Sequence, residues 1–526
     1  MTVEAVLRPW TGQRVRELAR KGATSNTAPG PSGLVYKYLA ESTDEVVDTY
    51  AEVIGAAQDS AVRQEAWRRA YEWPIPKGGA GGGSLDGARR ICMVEIEQDS
   101  GDPWFDIACN MPVTAGMRVL TKSEKIKTLN QDTMQFITLN HPVDCGVCNK
   151  SGECLLQDYH YELNGAASKS RDPKTHATKF FPLSDRIILD NERCIMCTLC
   201  VRFTNEVSGS KALGAVHRGD HALIRPAEDA DFNLDVYSDN VIDLCPVGAL
   251  LSTELMTHAR VWYLQATKSV CPGCERGCSI DVWHRKHEWK LNALDPQLNT
   301  TIDRVTPHDN PEVNGLWVCN KARDLAQLFE RPRAEQAMQH GAPVELAVAI
   351  AAAAQLIAAA KKPVAMVSSW GSNEELAACH AAFGTKVSGF VKADHLPRPG
   401  EVIEDHLLIK PDKNPNRKAA LALYPALPER VSDALPADTD VVLVWGEGFD
   451  SALVPSGAKV IRLDSYTHAA NATADVFIPI SVQTERSGHY TNFAGVVTPF
   501  EACFPVKPSI VHAATLFAAL STGSDA

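Results

Sequence analysis

The sequence predicts a multidomain protein in which α+β segments that hold metal clusters precede a C-terminal α/β domain. Its 526 residues suffice for about three to four domains of usual size. Eleven of its 15 cysteines, with one histidine, fall into three spaced groups between His141 and Cys319. From residue 343 onward, short apolar runs alternate with helical stretches, which is typical of a mostly parallel sheet.

The region before the first metal group contains predicted helices, strands and a linker. Ser42 to Glu45 forms a capping box before a helical apolar pattern, and Gly78 to Ser84 is a flexible linker. An alternating pattern predicts a strand over 91–97, with a partner over 104–109. We expect a helix over 118–140.

Four further runs predict strands in the rest of the chain. An Ala-rich helix is expected just before the second of them. The runs are 186–190, 362–368, 440–446 and 459–464.

Composition excludes several classes of protein. A net charge of -12 argues against nucleic acid as a partner, because phosphate binding requires a basic face. Met1 to Trp10 lack the apolar core of a signal peptide, and the cysteines group as C-x-x-C, so reduced thiols are expected rather than disulfides. The most apolar run, Val344 to Ala360, is shorter than the ~20 residues of a spanning helix. Any membrane association is therefore expected to come through partner subunits.

The first group, the His141 set, places one imidazole and three thiols within a short segment. Its members are His141, Cys145, Cys148 and Cys154. Neutral imidazole in place of one thiolate removes a negative charge, which should raise the potential of an iron–sulfur cluster. Three cysteines and one histidine also suit a structural zinc site.

The second group, the Cys194 set, has the spacing of a bacterial ferredoxin. Its members are Cys194, Cys197, Cys200 and the distant Cys245. The compact ferredoxin motif continues with a fourth cysteine, but residues 201–204 contain none. Cys245 precedes Pro246, and Cys-Pro is common in iron–sulfur loops. Zinc is the alternative here as well.

The third group, the Cys271 set, takes its fourth member from much farther along the chain. Its members are Cys271, Cys274, Cys278 and Cys319, and the last lies 41 positions beyond Cys278. The alternatives are a zinc site and a structural cluster outside an electron path.

Cys379 and Cys503 fit no spacing and are expected to be free and buried. Gly446-Glu447-Gly448 resembles the start of a dinucleotide turn, but Ser451 replaces the third glycine, so a tight turn is predicted.

These motifs closely resemble the large iron–sulfur subunit of respiratory complex I, the bacterial form of which is NADH-quinone oxidoreductase. The His141 set resembles its one-histidine, three-cysteine site, and the Cys194 set its next 4Fe-4S site. The Cys271 set resembles the further 4Fe-4S site of bacterial members and of molybdopterin oxidoreductases. The tail around 474–479 and 488–492 is similar to a molybdopterin-oxidoreductase-like domain.

The resemblance implies six segments. They are a divergent N-terminal region with its linker (1–86), a degenerate 2Fe-2S ferredoxin-like segment (87–135), 4Fe-4S domains (136–182, 183–262 and 263–335) and a shortened molybdopterin-oxidoreductase-like α/β domain (340–526).

Two departures from the family pattern bear on the expected cofactors. Family members usually carry a 2Fe-2S cluster on four cysteines, of which only Cys92 and Cys109 have counterparts here, while Arg89 stands where a third belongs. We expect this cluster to be absent. The tail is too short for a full molybdopterin enzyme domain, so no molybdopterin and no catalytic site are expected on this chain.

The resemblance implies an electron relay from NADH and flavin towards quinone. The His141 and Cys194 sets would hold consecutive 4Fe-4S carriers, and the Cys271 set an off-path cluster. Expected partners are the flavin subunit that binds NADH and other peripheral-arm subunits, on the cytoplasmic side of the inner membrane. The rivals are a component of an NAD-linked hydrogenase or formate dehydrogenase, and a non-redox zinc-stapled scaffold.

Overall fold

The computed structural model describes residues 93–97, 103–108, 112–164, 173–217, 221–254, 259–286, 300–384, 386–394, 401–424 and 435–522. Its contacts divide the chain into two compact units. The first unit comprises Met1–Asp235 and Val241–Met256, and the second comprises Val236–Asn240 and Thr257–Ala526. The finer division into six segments stays a prediction. Cys92, Cys109 and the elements predicted within 1–86 lie outside the described residues.

The first unit begins with an antiparallel sheet in the order β2-β1-β3. These strands are β1 (Met93–Glu97), β2 (Trp104–Ile107) and β3 (Arg118–Leu120). The pairing of β1 with β2 confirms the predicted strand and its partner.

The helix predicted over 118–140 is shorter than expected. β3 occupies its first residues, because they pair with β1 instead. Helix α1 (Glu124–Ile137) begins after Ser123, whose Oγ accepts a hydrogen bond from the amide of Ile126 at 3.2 Å. A serine at this position stabilises a helix start, so it sets the boundary that apolar periodicity alone missed.

The rest of the first unit consists of short elements between the ligand loops. Helices are α2 (Leu155–Tyr159), α3 (Leu199–Glu206) and α4 (Asn240–Leu244), of which the first residue, Asn240, belongs to the second unit. Strands are β4 (Phe181–Pro182), β5 (Ile187–Leu189), β6 (Leu213–Val216), β7 (Leu223–Pro226) and β8 (Leu250–Ser252). A π-helical turn spans His160–Asn164 and a 3-10 turn spans Phe232–Leu234.

The second unit opens with a three-stranded antiparallel sheet in the order β11-β10-β9. Its strands are β9 (Leu264–Val270), β10 (Ser279–Arg285) and β11 (Ile302–Pro307). A 3-10 turn at Val261–Tyr263 precedes it. Helices α5 (Asn320–Arg323) and α6 (Leu325–Phe329) follow it.

The α/β part of the second unit is built on a seven-stranded sheet. Its strands are β12 (Met338–Gln339), β13 (Ala342–Pro343), β14 (Pro363–Val367), β15 (Ser388–Val391), β16 (Val441–Trp445), β17 (Lys459–Asp464) and β18 (Val476–Pro479). The order is β13-β12-β18-β17-β16-β14-β15, and the five strands from β14 to β18 run parallel. The mostly parallel sheet is therefore confirmed.

Helices and a hairpin complete this part. They are α7 (Leu346–Ala359), α8 (Asn373–Phe383), α9 (Arg417–Leu423), α10 (Ala469–Thr473) and α11 (Ala513–Thr522), with the hairpin β19 (Gly488–Thr491) and β20 (Val497–Phe500). Further 3-10 turns lie at Ser451–Leu453 and Gln483–Glu485.

The parallel strands are buried on both faces. Ala365 and Val367 of β14 pack into a core with α8 and α11, whereas Val364 and Met366 pack on the opposite face with Val442. Side chains of a strand alternate between faces, so continuous apolar runs are the expected sequence of such strands.

The apolar run of 344–360 forms part of this domain. It contains α7, whose Ala349 and Ala353 are fully buried. Among the residues that the structure describes, no helix is long and apolar enough to cross a membrane.

Candidate metal centres

The pairing of β5 with β8 brings the distant member of the Cys194 set to its partners. The strands are antiparallel, with Leu189 opposite Leu250 at the end of the ladder. The loop after β5 carries Cys194, and the loop before β8 carries Cys245, so both loops lie at the same end of this strand pair. The sequence suggested Cys245 as the fourth member of the set, and the strand register shows that its loop lies next to the loop of Cys194.

The four thiols of this set affect one another electrostatically. Burial, together with the neighbouring charge of Cys245, raises the pKa of Cys194 to about 11. Burial also raises the pKa of Cys200, as do Cys245, Cys197 and Cys194. Four thiolates this close repel one another, so their joint ionisation requires a cationic centre.

The loop between these cysteines has a strained backbone. Met196 and Thr198, on either side of Cys197, have φ values of 51° and 58°. The left-handed region costs residues other than glycine roughly 1–2 kcal/mol each. Such strain persists where the surroundings impose it, and here it lies inside the ligand loop.

A lysine positions the histidine of the His141 set. Nζ of Lys174 donates hydrogen bonds to the carbonyls of Thr138 (3.0 Å), Leu139 (2.8 Å) and His141 (2.9 Å). These carbonyls follow the C-terminus of α1, where backbone acceptors lack helical partners. The amide of Thr175 also donates to Asn140 Oδ1 at 3.1 Å. These hydrogen bonds therefore hold the backbone from Thr138 to His141 in place.

The imidazole of His141 is in the state that a metal ligand requires. Burial lowers its pKa, and the charges of Lys174 and Arg193 lower it further, although Asp144 acts in the opposite direction. The ring is therefore neutral near pH 7. Its Nδ1 is buried without a hydrogen-bond partner, which is a cost that an acceptor or a metal would remove.

The three cysteines of the His141 set lie in the turns that follow the histidine. Burial raises the pKa of Cys148 and of Cys154. Cys148 interacts with both Cys145 and Cys154. It shares two charged neighbours with His141, namely Asp144 and Arg193.

A buried ion pair joins the His141 and Cys194 sets. Asp144 directly precedes Cys145, and Arg193 directly precedes Cys194. The guanidinium of Arg193 donates to both carboxylate oxygens of Asp144, at 2.6–3.2 Å, and Arg193 is only 4% exposed. The pair fixes one ligand loop against the other.

The loop after Cys245 also touches the His141 set. The thiol of Cys154 lies 3.7 Å from the carbonyl oxygen of Pro246. A Cβ atom placed on Gly248 would stand 2.2 Å from Sγ of Cys148. Only glycine allows this approach, so ligand residues of one set contact the loop of the other directly.

Both sets border one cleft. It has a volume of about 950 Å³, and His141 and Cys194 are among its lining residues. Several large apolar side chains near the first set are exposed, among them Phe136, Val143 and Val147.

The Cys271 set is assembled by a hairpin and a returning loop. Cys271 directly follows β9, and Cys278 directly precedes β10. The amide of Cys271 donates to the carbonyl of Cys278 at 2.8 Å. Burial, together with the charge of Cys274, raises the pKa of Cys319 to about 11. Burial raises the pKa of Cys271 and of Cys278, and the charge of Cys319 raises both further, so the four thiols are electrostatic neighbours.

Asn314 holds the loop that delivers Cys319. This side chain is 4% exposed, and its Oδ1 accepts from the amide of Ser279 at 2.8 Å. Its Nδ2 donates to the carbonyl of Trp317 at 3.1 Å. Asn240 adds two hydrogen bonds to the backbone of Val318.

The donor sets suit 4Fe-4S clusters. Within the described part of the chain, no three histidine, cysteine, aspartate or glutamate side chains converge closely enough to hold one ion. A cubane cluster does not require this, because each iron takes its own protein ligand. Buried thiols with raised pKa values and an imidazole nitrogen without a partner are the donors that such a group uses. The ligand assignments themselves stay a prediction.

Sequence reasoning missed the residues that position these ligands. Asp144 and Arg193 could have been found, because each directly precedes a ligand cysteine. No local sequence pattern points to Lys174 or Asn314.

Cys379 and Cys503 are free and buried, as predicted. Gly446 and Gly448 have positive φ values, as a tight turn requires.

Three segments of the chain match known families. Residues 131–168 match the NADH-ubiquinone oxidoreductase-G iron-sulfur binding region. Residues 184–251 match the ferredoxin-like domain of NADH-quinone oxidoreductase subunit 3. Residues 264–331 match the molybdopterin oxidoreductase Fe4S4 domain.

Curated relatives agree with these matches. The G subunit of NADH-quinone oxidoreductase from Rickettsia felis is 32% identical over 239 residues, 45% of this chain and 33% of that protein. The NADH-ubiquinone oxidoreductase 75 kDa subunit of Reclinomonas americana is 35% identical over 252 residues, 48% of this chain and 34% of that protein. NADPH-Fe(3+) oxidoreductase subunit alpha of Geobacter sulfurreducens is 32% identical over 274 residues, 52% of this chain and 30% of that protein.

The matches cover only part of each relative. The chain spans about a third of the length of the curated relatives it matches. A solved NAD+-reducing [NiFe]-hydrogenase shows a TM-score of 0.29 and 24% identity over 38% of this chain and 83% of that chain, which supports no inference. The matched iron–sulfur portion of this chain is therefore similar to the large iron–sulfur subunit of complex I, the G subunit of NADH-quinone oxidoreductase.

Proposed function

We propose that this chain is an electron-transfer subunit that relays electrons from NADH and flavin towards quinone in a complex I-type assembly. The observation that carries the proposal is the contact between the first two ligand sets. Sγ of Cys154 lies 3.7 Å from the carbonyl oxygen of Pro246. Pro246 directly follows the proposed ligand Cys245 in the chain. Electron tunnelling falls steeply with distance, so redox centres whose ligand loops touch are suited to exchange electrons.

Each set would hold one cluster. A 4Fe-4S cluster supplies reversible one-electron uptake when bound. Three proposed sites follow from the ligand sets: His141 with Cys145, Cys148 and Cys154; Cys194 with Cys197, Cys200 and Cys245; and Cys271 with Cys274, Cys278 and Cys319.

The chain's own residues orient the ligands and set the charge around them. Lys174 fixes His141, and Arg193 with Asp144 fixes the loops of both sets. The guanidinium of Arg193 beside both sets favours the reduced, more negative state of either cluster. No side chain needs to act as acid, base or nucleophile, and we propose no catalytic site on this chain.

The Cys271 set is proposed as a third 4Fe-4S site outside the main path. We further propose that the 2Fe-2S cluster is absent, because Cys92 and Cys109 are two of the four thiolates that it uses. No molybdopterin is proposed in the α/β domain. Electrons would then pass from the flavin side directly to the Cys194 site, or enter from another donor.

The proposed partners are a flavin subunit that oxidises NADH and other peripheral-arm subunits. The exposed apolar side chains Phe136, Val143 and Val147 give the His141 region a surface suited to a neighbouring subunit. The membrane would be reached only through such partners, on the cytoplasmic side.

Metal analysis of the anaerobically purified chain tests the relay. We expect about twelve iron atoms per chain, four for each of three clusters, with matching acid-labile sulfide. Low-temperature EPR of the reduced protein should then show 4Fe-4S signals. Zinc at a comparable ratio without visible absorption would instead support a stapled scaffold.

Affinity purification of the native complex tests the partners. We expect a flavoprotein that oxidises NADH and reduces quinone analogues to accompany the chain. Hydrogenase or formate dehydrogenase activity in the purified complex would assign the chain to one of those enzymes instead.

A further inference from the structure

One loop of the Cys271 set approaches the surface of the second unit. Cys271 and Cys278 are buried, whereas Cys274, which lies between them, is partly exposed. The next two residues, Glu275 and Arg276, are partly exposed as well. A cluster held by this set would therefore come nearest to solvent on the side of Cys274.

The turn between β19 and β20 packs on the outside of this loop. The amide of Phe493 donates to the carbonyl of Glu275 at 3.0 Å, and Nδ2 of Asn492 donates to the carbonyl of Arg276 at 3.3 Å. Cys274 is thus connected to Phe493 through a single residue and one hydrogen bond.

Phe493 is the exposed end of this connection. The residue is 38% exposed, and Ala494 and Gly495, which follow it in the turn, are exposed too. A redox protein seated on Phe493 would be separated from the cluster by little more than the thickness of one loop. Such a short separation favours electron tunnelling.

Three cations surround Phe493. The guanidinium of Arg276 lies 5.7 Å from the centroid of its ring, and Nζ of Lys410 lies 5.0 Å from it. Nζ of Lys418 donates to the backbone carbonyl of Phe493 at 3.1 Å. Cations are attracted to the face of an aromatic ring, so these contacts hold the ring and the charges in one arrangement.

The acids near these cations compensate them only in part. Within the described part of the chain, neither Arg276 nor Lys418 forms an ion pair, and the carboxylate of Glu404 lies 3.9 Å from Lys410. Glu275 is a further acid close to Lys410. Cations without a bound carboxylate can form charge-assisted hydrogen bonds with the acids of another protein.

The charge of the whole chain makes this basic patch selective. The neighbouring Arg417 lies 3.5 Å from Asp412, so this pair adds no net charge. The chain carries a net charge of -12. An acidic partner would therefore be repelled by much of the molecule and attracted here, which favours one orientation of docking.

We propose that an acidic one-electron carrier protein docks on the patch formed by Phe493, Arg276, Lys410 and Lys418, and exchanges electrons with the cluster of the Cys271 set. The proposal rests on the 4Fe-4S cluster proposed at that set. One electron leaves the reduced carrier and enters the oxidised cluster, and no bond forms or breaks. An apolar centre with a charged rim suits the small interface of a transient redox complex.

Calorimetry on the intact, cluster-loaded chain tests the docking, with an acidic plant-type 2Fe-2S ferredoxin as the probe. We expect saturable binding at about 10 mM salt that weakens strongly at about 150 mM, because salt screens the charges. Lys418→Glu should weaken binding about tenfold at low salt.

Lys361→Glu is the matched control, because it changes the net charge of the chain by the same amount. Lys361 precedes β14, whereas Lys418 follows Asn416, whose amide donates to the carbonyl of Ser369 beyond the other end of that strand. We expect this variant to keep its affinity for ferredoxin within about twofold, because screened charges act weakly at long range.

Cross-linking locates the contact independently of affinity. A carbodiimide joins lysines to carboxylates that touch them, so it should couple ferredoxin to Lys410 or Lys418 and not to Lys361. Phe493→Ser keeps the three cations but removes the apolar centre. It should weaken binding, and slow electron transfer from reduced ferredoxin, about fivefold.

Three results would overturn the proposal. They are a loaded chain that does not bind ferredoxin at low salt, a Lys418→Glu variant that binds it as the wild type does, and cross-links that avoid both Lys410 and Lys418. With full iron content and unchanged EPR signals, these results leave the cluster sites standing. A chain that lacks iron at the Cys271 set would instead contradict the proposed function, and the docking proposal with it.

Discussion

Replacing Gly248 by alanine should disturb the contact between the His141 and Cys194 sets. The added Cβ would stand 2.2 Å from Sγ of Cys148 and 3.2 Å from Cβ of Lys150. Ordinary contact begins near 3.4 Å, so the loop or the thiol must move by about 1.2 Å (3.4 − 2.2). Overpacking of this size costs about 1–3 kcal/mol, because a packed interior accepts extra atoms only by shifting side chains and backbone.

Thermal unfolding and EPR together measure this effect. Each kcal/mol should lower the midpoint of the first unit by about 2–4 °C. Displacement of Cys148 should also change the EPR signal and the midpoint potential of the cluster proposed at the His141 set. The EPR signal of the cluster proposed at the Cys271 set should stay unchanged.

Gly146→Ala is the matched control for this substitution. Gly146 lies between Cys145 and Cys148 of the His141 set, but nothing stands within 4 Å of its added Cβ. We expect this variant to match the wild type in stability and spectrum. If Gly248→Ala also matched the wild type, the close approach of the two ligand loops would be refuted.

Three further substitutions test other contacts. Arg193→Met removes the guanidinium from Asp144, which keeps only Lys179 at 3.3 Å, and should destabilise the first unit by about 1.5–3 kcal/mol; a double-mutant cycle with Asp144→Asn would assign this loss to the pair. It should also lower the midpoint potentials of both neighbouring clusters, and unchanged potentials would contradict the electrostatic role. Asn314→Ala leaves buried groups near Cys319 unsatisfied and should cost about 1–3 kcal/mol, with loss of about four irons per chain if the loop moves. In the α/β domain, burial raises the pKa of Asp475, but hydrogen bonds from the amide of Val460 and from Lys459 hold it below its usual value. A depressed pKa stabilises the fold above the unfolded value and ceases to do so as pH falls through the folded value, so the stability difference between the wild type and Asp475→Asn should shrink below about pH 4. A difference that is constant from pH 7 to pH 3 would contradict this role.

Local patterns predicted most of the elements near the sites. The strand at 91–97, its partner and the three strands over 362–464 are found within one or two residues of their predicted bounds. Continuous apolar runs and alternation identify such strands, because burial on one or both faces dictates the side chains. The start of α1 was missed because pairing of β3 with β1 outweighed helical periodicity.

The sequence by itself determined which residues could be ligands. Spacing as tight as C-x2-C-x2-C places thiols within one turn of chain, so no distant information is needed to group them. It also indicated that Cys245 and Cys319 belong to sets whose other members lie far away along the chain.

Only the tertiary structure decided how those residues meet. The register of β5 against β8 places Cys245 beside Cys194, and Asn314 holds the loop of Cys319. The contact of Gly248 with Cys148, and the pairing of Arg193 with Asp144, join segments 49 or more positions apart. Such contacts depend on the packing of whole loops, and no local pattern of residue types records them.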